Sequence, residues 1–228
     1  MRVALVTVGD ELLSGDTVNT NGAWLGEQLT GRGATVERMT VVPDRVADIA
    51  ETVNKYRAAY DAVIVTGGLG PTHDDVTMEA VAAAFGTDLA PDETVRERLN
   101  ERGYSDDDLA PGTTRLPKRA ESLPNPAGVA PGCLVGTVYV LPGPPAEMKG
   151  MFEHVRDHFG GDTTHVETVE TAEAEKQLLD RLSGVRERFD VTLGSYPGET
   201  VRLKVRGGDP EEVAAAADWL RERVEPAE

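Results

Sequence analysis

Ala62-Val-Ile-Val-Thr66, Gly67-Gly-Leu-Gly-Pro-Thr-His-Asp-Asp75 and Val76-Thr-Met-Glu-Ala-Val-Ala-Ala-Ala-Phe-Gly86 follow one another without a break, and this stretch decides the fold. Ala62 to Val65 is an apolar run of strand length, rich in β-branched residues. Gly67, Gly68 and Gly70 predict a tight turn at which the backbone can approach a ligand closely. The spacing of Val76, Glu79-Ala80 and Ala83-Ala84 predicts a helix from about Asp74 to Phe85, stopped by Gly86. Strand, glycine turn and helix amino terminus together predict an anion cradle, with free N–H groups pointing outward and the helix dipole favouring negative charge. Asp74 and Asp75 stand in the same cradle, which suggests a metal ion between carboxylate and phosphate. Thr72-x-x-Asp75 also reads as a capping box, and glycine turns after strands also serve as plain connectors.

Outward from that stretch, Arg2 to Val8 is nearly continuous in apolar residues and predicts a strand buried on both faces. It runs into Gly9-Asp-Glu-Leu-Leu-Ser-Gly-Asp16, read as a loop longer than most strand-to-helix connections. A helix follows from about Asn21 to Thr30, with Asn19 or Asn21 as cap. A strand at Ala34 to Val42 leads through Pro43-Asp44 to a helix from about Arg45 to Ala59. After the glycine-loop unit come a charged helix at Pro91 to Arg102 and an irregular segment from Tyr104 to Gly132, whose one basic spot is Leu116-Pro-Lys-Arg119. Cys133 to Val135 and Thr137 to Leu141 predict strands, and Leu141-Pro-Gly-Pro-Pro-Ala-Glu-Met148 opens a helix reaching Phe159.

Alternating strands and helices predict an α/β domain over residues 1–160, a three-layer structure with a mostly parallel sheet. Gly160-Gly-Asp162 is a candidate linker to a small α+β domain at residues 163–228. The order there is a strand at Thr164 to Val169, a helix at Ala172 to Leu182, strands at Val191 to Ser195 and Val201 to Val205, and a helix at Pro210 to Val224. Asp209 should cap that helix, with Glu212 completing a capping box.

The net charge of −17, with only Lys55, Lys118, Lys149, Lys176 and Lys204 as lysines, suits a halophilic protein whose acidic surface is screened by high salt. It disfavours non-specific binding of nucleic acid. No apolar run reaches membrane-spanning length and the chain opens directly on a strand, so a cytoplasmic protein without membrane partners is expected. Cys133 stands alone, which excludes an internal disulfide and predicts a small buried apolar residue. Among four histidines no Ser-His-Asp order or zinc spacing stands out.

In an open parallel sheet, ligands bind outside the carboxyl ends of the strands. Four such ends carry marked loops: Gly9-Asp10-Glu11, Pro43-Asp44, Gly67 to Gly70 with Asp74 and Asp75, and Pro142 to Pro145. Their amides suit phosphate oxygens and their carboxylates suit a hard divalent cation. The chemistry expected is attack at a phosphorus of a nucleotide. Each residue keeps a structural alternative: Asp10 as a turn residue, Asp44 as a helix cap, Glu147 as a favoured acid in a first turn. His73 reads as a solvated loop residue, and Arg115, Lys118 and Arg119 as phosphate contacts or solvated charges.

Thr66-Gly-Gly-Leu-Gly-Pro-Thr-His-Asp-Asp-Val-Thr77 resembles the central motif of the MoaB/Mog (molybdopterin-binding) superfamily, in the form of the CinA amino-terminal domain. Gly9-Asp-Glu-Leu-Leu-Ser-Gly15 with Asn19-Thr-Asn21, Leu123-Pro-Asn-Pro-Ala-Gly-Val-Ala-Pro-Gly132 and Leu141 to Met148 resemble that family's other motifs, and the tail is similar to its small following domain. The amidase domain of full-length CinA proteins is absent here, so deamidation is not carried over. Thr171-Ala-Glu-Ala-Glu175 replaces the tail's usual entry motif, and Met78 stands where a basic residue is frequent.

The resemblance implies ADP-ribose hydrolysis to AMP and ribose 5-phosphate with Mg²⁺ or Co²⁺, and K⁺ as a candidate accessory ion. Its alternative is molybdopterin adenylylation or molybdopterin binding, and a third is a non-catalytic nucleotide-binding module. Asp44 and Asp75 are carried over as catalytic, and Asp10, Asp44, Asp74 and Asp75 as metal ligands. Substrate would contact Gly9, Asp10, Glu11 and Ser14, then Gly67, Gly68, Leu69, Gly70 and Thr72, then Pro142, Gly143 and Glu147 on the opposite wall. Homo-oligomerisation as dimer or trimer and a small-molecule nucleotide or pterin partner are also implied.

Overall fold

The computed structural model of the protein describes residues 1–161 and 165–227. Asp162, Thr163 and Thr164, part of the expected linker and tail strand, lie outside the described residues. In the first unit, β1 (Arg2–Val8) is followed by α1 (Asp10–Ser14), α2 (Thr20–Gly31), β2 (Thr35–Val42), α3 (Val46–Ala59), β3 (Ala62–Thr66) and α4 (Thr77–Ala84). Next come β4 (Leu89–Pro91), α5 (Glu93–Glu101), β5 (Arg115–Pro117), β6 (Glu121–Leu123), β7 (Gly132–Val135), β8 (Val138–Leu141) and α6 (Pro145–Val155).

The main sheet runs β2-β1-β3-β8-β7-β6. The first four strands are parallel, β7 runs antiparallel to β8, and β6 runs antiparallel to β7. Register aligns Val8 with Val42, Thr7 with Thr66, and Thr66 with Leu141, so four strand ends finish at one edge. Alternation explains the layers. Ala4, Val6, Val63 and Val65 face one core with Ile49 and Val53 of α3 and Val81 of α4, whereas Val3, Leu5 and Ile64 face another with Leu25 and Leu29 of α2 and Phe152 of α6. Phe152 meets Trp24 edge-on at 5.4 Å between ring centroids, fixing α6 against α2.

Several local expectations change. Asp10 to Ser14 is a short exposed helix instead of a loop, closed by Gly15 in the left-handed region. Asn19 is the cap of α2: its Oδ1 accepts the Gly22 N–H at 2.9 Å. The segment from Tyr104 to Gly132 contains β5 and β6, which pair with β4 and β7. Each is three residues long, too short for an alternation to show in sequence. Pro91 belongs to β4, and Asp92 caps α5 by accepting from the Val95 N–H.

The second unit comprises Gly31–Gly33 and the chain from Gly161 onward. It contains β9 (His165–Thr171), α7 (Leu179–Arg188), β10 (Thr192–Pro197), β11 (Val201–Gly207) and α8 (Pro210–Arg221). The antiparallel sheet β10-β11-β9 packs one face under both helices around Leu178, Val185, Leu203 and Leu220. The first helix lies later than the expected 172–182. Thr171 Oγ1 donates to the Glu225 carbonyl, and Glu173 accepts from Arg181 and from the Glu225 N–H, so polar ties anchor a bend there and one 3-10 turn at Glu175–Gln177 precedes the helix. Gly184, inside α7, leaves room for the Trp219 indole: a Cβ there would meet that ring at 2.9 Å. Asp209 caps α8 through the Glu211 N–H, but the capping box does not close, because Glu212 accepts instead from the Asp190 N–H.

Candidate functional site

The aligned ends of β1, β2, β3 and β8 border a polar cleft of about 220 Å³. Glu11, Asp44, Asp74 and Asp75 line it with Gly67 and Gly143. A second, less polar cleft of about 460 Å³ lies across the glycine loop, with Leu69, Met78, Leu109 and Val129 among its walls. Gly68 and Asp75 line both. The loop from Gly67 to Asp75 is therefore a partition between two compartments.

That loop folds differently from the cradle read in the sequence. α4 starts at Thr77, later than the expected Asp74. The Asp75 carboxylate turns back into the loop, accepting the Gly70 N–H at 2.7 Å, the Thr72 N–H at 2.9 Å and the Thr72 hydroxyl. The Gly67 N–H is given to the Leu141 carbonyl. The amides of Gly67, Gly70 and Thr72 are thus already engaged, the last two by Asp75 itself. It clasps the loop; it does not cap the helix.

Asp44 sits at the tip of the turn between β2 and α3. The cap position of α3 is Arg45, and Asp44 Oδ2 accepts the Asp10 N–H at 2.8 Å, tying α1 to the sheet edge. Partial burial pushes the Asp44 pKa above its usual 3.8. The Asp10 N–H pulls the other way, and the neighbouring charges of Asp10, Glu11 and Asp74 raise it further. Asp74 moves in the opposite direction, held low by the nearby Thr72 hydroxyl, its own amide and His73. The Thr72 hydroxyl hydrogen bond itself goes to Asp75.

The rise on Asp44 has a consequence for folding. Because its ionisation is harder in the folded state, stability falls as pH rises from the ordinary carboxyl range through the raised value, and the penalty persists above it. Asp44→Asn can still accept the Asp10 N–H. It should stabilise the protein at pH 7 by no more than about 0.5 kcal/mol, given the exposure of the site. A melting series should show that gain vanishing near pH 3, and the part owed to neighbouring carboxylates shrinking at high salt.

Other expected contacts are placed elsewhere. Glu147 lines neither cleft: its Oε2 accepts from Asn125 Nδ2 at 2.7 Å and braces the proline-rich loop. Ser14 Oγ hydrogen-bonds Glu11 O and Asp16, and Pro142 is buried with its carbonyl accepting from Thr66 Oγ1 at 2.6 Å. Gly9 and Glu11 do border the polar cleft, whereas Asp10 reaches it only through its N–H on Asp44. Leu69, Gly70 and Thr72 border the second cleft. His73 is fully solvated, and Lys118 pairs with Asp88 at 2.7 Å. Sequence reasoning passed over Asn21 as a wall residue. Its Nδ2 donates to the Gly143 carbonyl at 2.7 Å, joining α2 to the turn after β8, and the signal available was a second asparagine so close to Asn19.

Among the described residues no three His, Cys, Asp or Glu side chains form a ready-made metal cage. Mg²⁺ does not require one, since it retains waters and takes one or two carboxylates with phosphate oxygens. Cys133 is buried, and desolvation lifts its thiol to about 12, so it carries no nucleophilic role. A thiol reagent at pH 8 should leave it unmodified in the native protein and label it fully in denaturant. No helix among the described residues is long and apolar enough to cross a membrane.

Comparison with known proteins agrees with this architecture. Residues 4–158 match the family described as "Probable molybdopterin binding domain", and residues 163–228 match "FAD synthase, middle domain". A relative in Archaeoglobus fulgidus is 38% identical over 224 residues, spanning 97% of both chains. A CinA-like protein of Frankia casuarinae is 45% identical over 166 residues, 67% of this chain and 38% of that longer one. The crystal structure of CinA from Thermoplasma acidophilum, a protein described as of unknown function, superimposes with a TM-score of 0.64 at 37% identity, covering 69% of this chain and 97% of that one. The chain therefore belongs to the family of probable molybdopterin-binding domains and is CinA-like within it.

Proposed function

We propose that the first unit binds a phosphorylated pterin together with an adenine nucleotide at the carboxylate-lined cleft, and that the reaction takes place at phosphorus. One observation carries this reading: the cleft is lined by Glu11, Asp44, Asp74 and Asp75, with no lysine or arginine among its described wall residues. A phosphate ester can settle there only in company with a cation. Asp44 and Asp74 are the residues that would hold a divalent ion, which would supply charge neutralisation at the phosphoryl oxygens. The family matched by the first unit, described by molybdopterin binding, supports the pterin part of this reading.

In the transfer reading, a pterin phosphate oxygen attacks the α-phosphorus of ATP, and diphosphate leaves. In a second, hydrolytic reading, water attacks a phosphorus of ADP-ribose and the products are AMP and ribose 5-phosphate. The full chain is incubated at high salt with Mg²⁺ or Co²⁺, and products are separated by chromatography. Adenylylated pterin and diphosphate support transfer, AMP from ADP-ribose supports hydrolysis, and binding without turnover supports a sensing module. If neither ligand binds with metal present, the proposal fails.

A further inference from the structure

The second unit presents Arg202, Lys204 and Arg206 at alternate positions of β11, the middle strand of its sheet. Val201, Leu203 and Val205, the opposite phase of that strand, are buried against the helices, so the three cations share the outer face. Register places Thr192, Gly194 and Tyr196 of β10 beside them, and Val166, Thr168 and Glu170 of β9 on the other side. Other arginines in this unit meet carboxylates: Arg181 meets Glu173, Arg221 meets Glu167 and Asp218, and Arg223 meets Glu222. Arg202, Lys204 and Arg206 have no carboxylate within ion-pair distance among the described residues, although Glu170 lies in register with Arg202. Lys204 instead sets its ammonium 5.6 Å from the centre of the Tyr196 ring, and Arg206 Nε is buried without a hydrogen-bond partner. Tyr196 leans over Gly194, where a Cβ would meet the ring at 2.9 Å, and remains 43% exposed.

We propose that this face binds single-stranded nucleic acid. Alternate residues on a strand repeat every ~6.7 Å, so the three charges line up over about 13 Å, which suits consecutive phosphates of an extended strand. The exposed tyrosine offers a planar surface on which a base can stack, the combination used by open sheets that read single strands. A mononucleotide would engage one cation and leave the others unanswered. A second copy of the chain fits poorly: two-fold pairing sets the basic stripe against itself. The net charge of −17 opposes approach from a distance, so affinity arises at contact and is sensitive to salt. The charge-based expectation against nucleic acid thus describes the chain as a whole and not this face.

The test is fluorescence anisotropy of a labelled oligouridylate of about eight nucleotides with the full chain, within the ~4–16 nucleotides such sites cover. Three phosphate contacts predict a slope of log affinity against log salt near −2, from ~0.7 per contact on single strands. Replacing all three cations by Gln (R202Q/K204Q/R206Q) should weaken binding at least about tenfold and flatten the slope. Tyr196→Ala should weaken binding about tenfold and leave the slope unchanged, a split that a merely structural tyrosine would not produce. Circular dichroism should show both variants folded. Absence of binding at low salt overturns the proposal, as does a triple variant that binds like the parent. A self-association abolished by the triple variant and indifferent to the oligonucleotide also overturns it.

Discussion

Gly67→Ala is expected to destabilise the protein by about 3 kcal/mol or more, the largest effect of any single methyl group added near the candidate site. Gly67 has a φ of +106°, where an L side chain is strained, and its added Cβ would lie 2.3 Å from the Val8 carbonyl oxygen. That oxygen belongs to the neighbouring parallel strand, so relief would require β1 and β3 to separate at the edge where their ends define the cleft. Gly86 makes the natural control. It also has a positive φ, 61°, but nothing lies within 4 Å of its Cβ position. Gly86→Ala should therefore cost about 1 kcal/mol, the conformational part alone. Urea unfolding at constant m-value measures both, and equal losses would contradict the close approach of the two strands.

Asp75→Ala is expected to loosen the partition between the two clefts. Three donors lose their acceptor at once: the amides of Gly70 and Thr72 and the Thr72 hydroxyl. Hydrogen bonds to a charged acceptor are worth about 1.5–3 kcal/mol each when buried, and this loop is largely exposed, so the global loss should stay near 1–2 kcal/mol. Local order suffers more. Hydrogen exchange at Gly70 and Thr72 should accelerate strongly while β1 and β3 keep their protection. Nucleotide affinity should fall at least about tenfold, because a wall shared by both compartments loses its position. Asp75→Asn retains one acceptor oxygen and should fall between the two. Unchanged exchange at Gly70 in Asp75→Ala would show that the carboxylate does not hold the loop.

How far these features could be read beforehand depended on the length scale of each signal. Val3 to Val8 and Ala62 to Val65 announce buried strands because long apolar runs have few other uses in a small α/β domain. The convergence of Gly9, Asp44, Gly67 and Gly143 followed from topology alone, since parallel strands must end together. Hydrogen-bond partners were not legible in the same way. Asp75 could cap a helix or bind a metal, and only the three-dimensional path of Gly70 to Thr72 shows that its carboxylate also closes its own loop. Glu147 looked like a wall residue by its place in a motif, yet Asn125 draws it toward the proline-rich loop. Short strands such as β5 escaped notice because pairing across a long separation stabilises them, with little contribution from local propensity. The second cleft was missed for the same reason, as its far wall comes from a segment read as irregular.

The most direct measurement is calorimetric titration of the full chain with ATP at high salt, once with Mg²⁺ and once with EDTA. Binding is predicted with Mg²⁺, none with EDTA, and none in Asp44→Asn/Asp74→Asn even with Mg²⁺. Equal affinity in EDTA, or a double variant that binds like the parent, would contradict a cleft whose carboxylates admit phosphate only together with a cation.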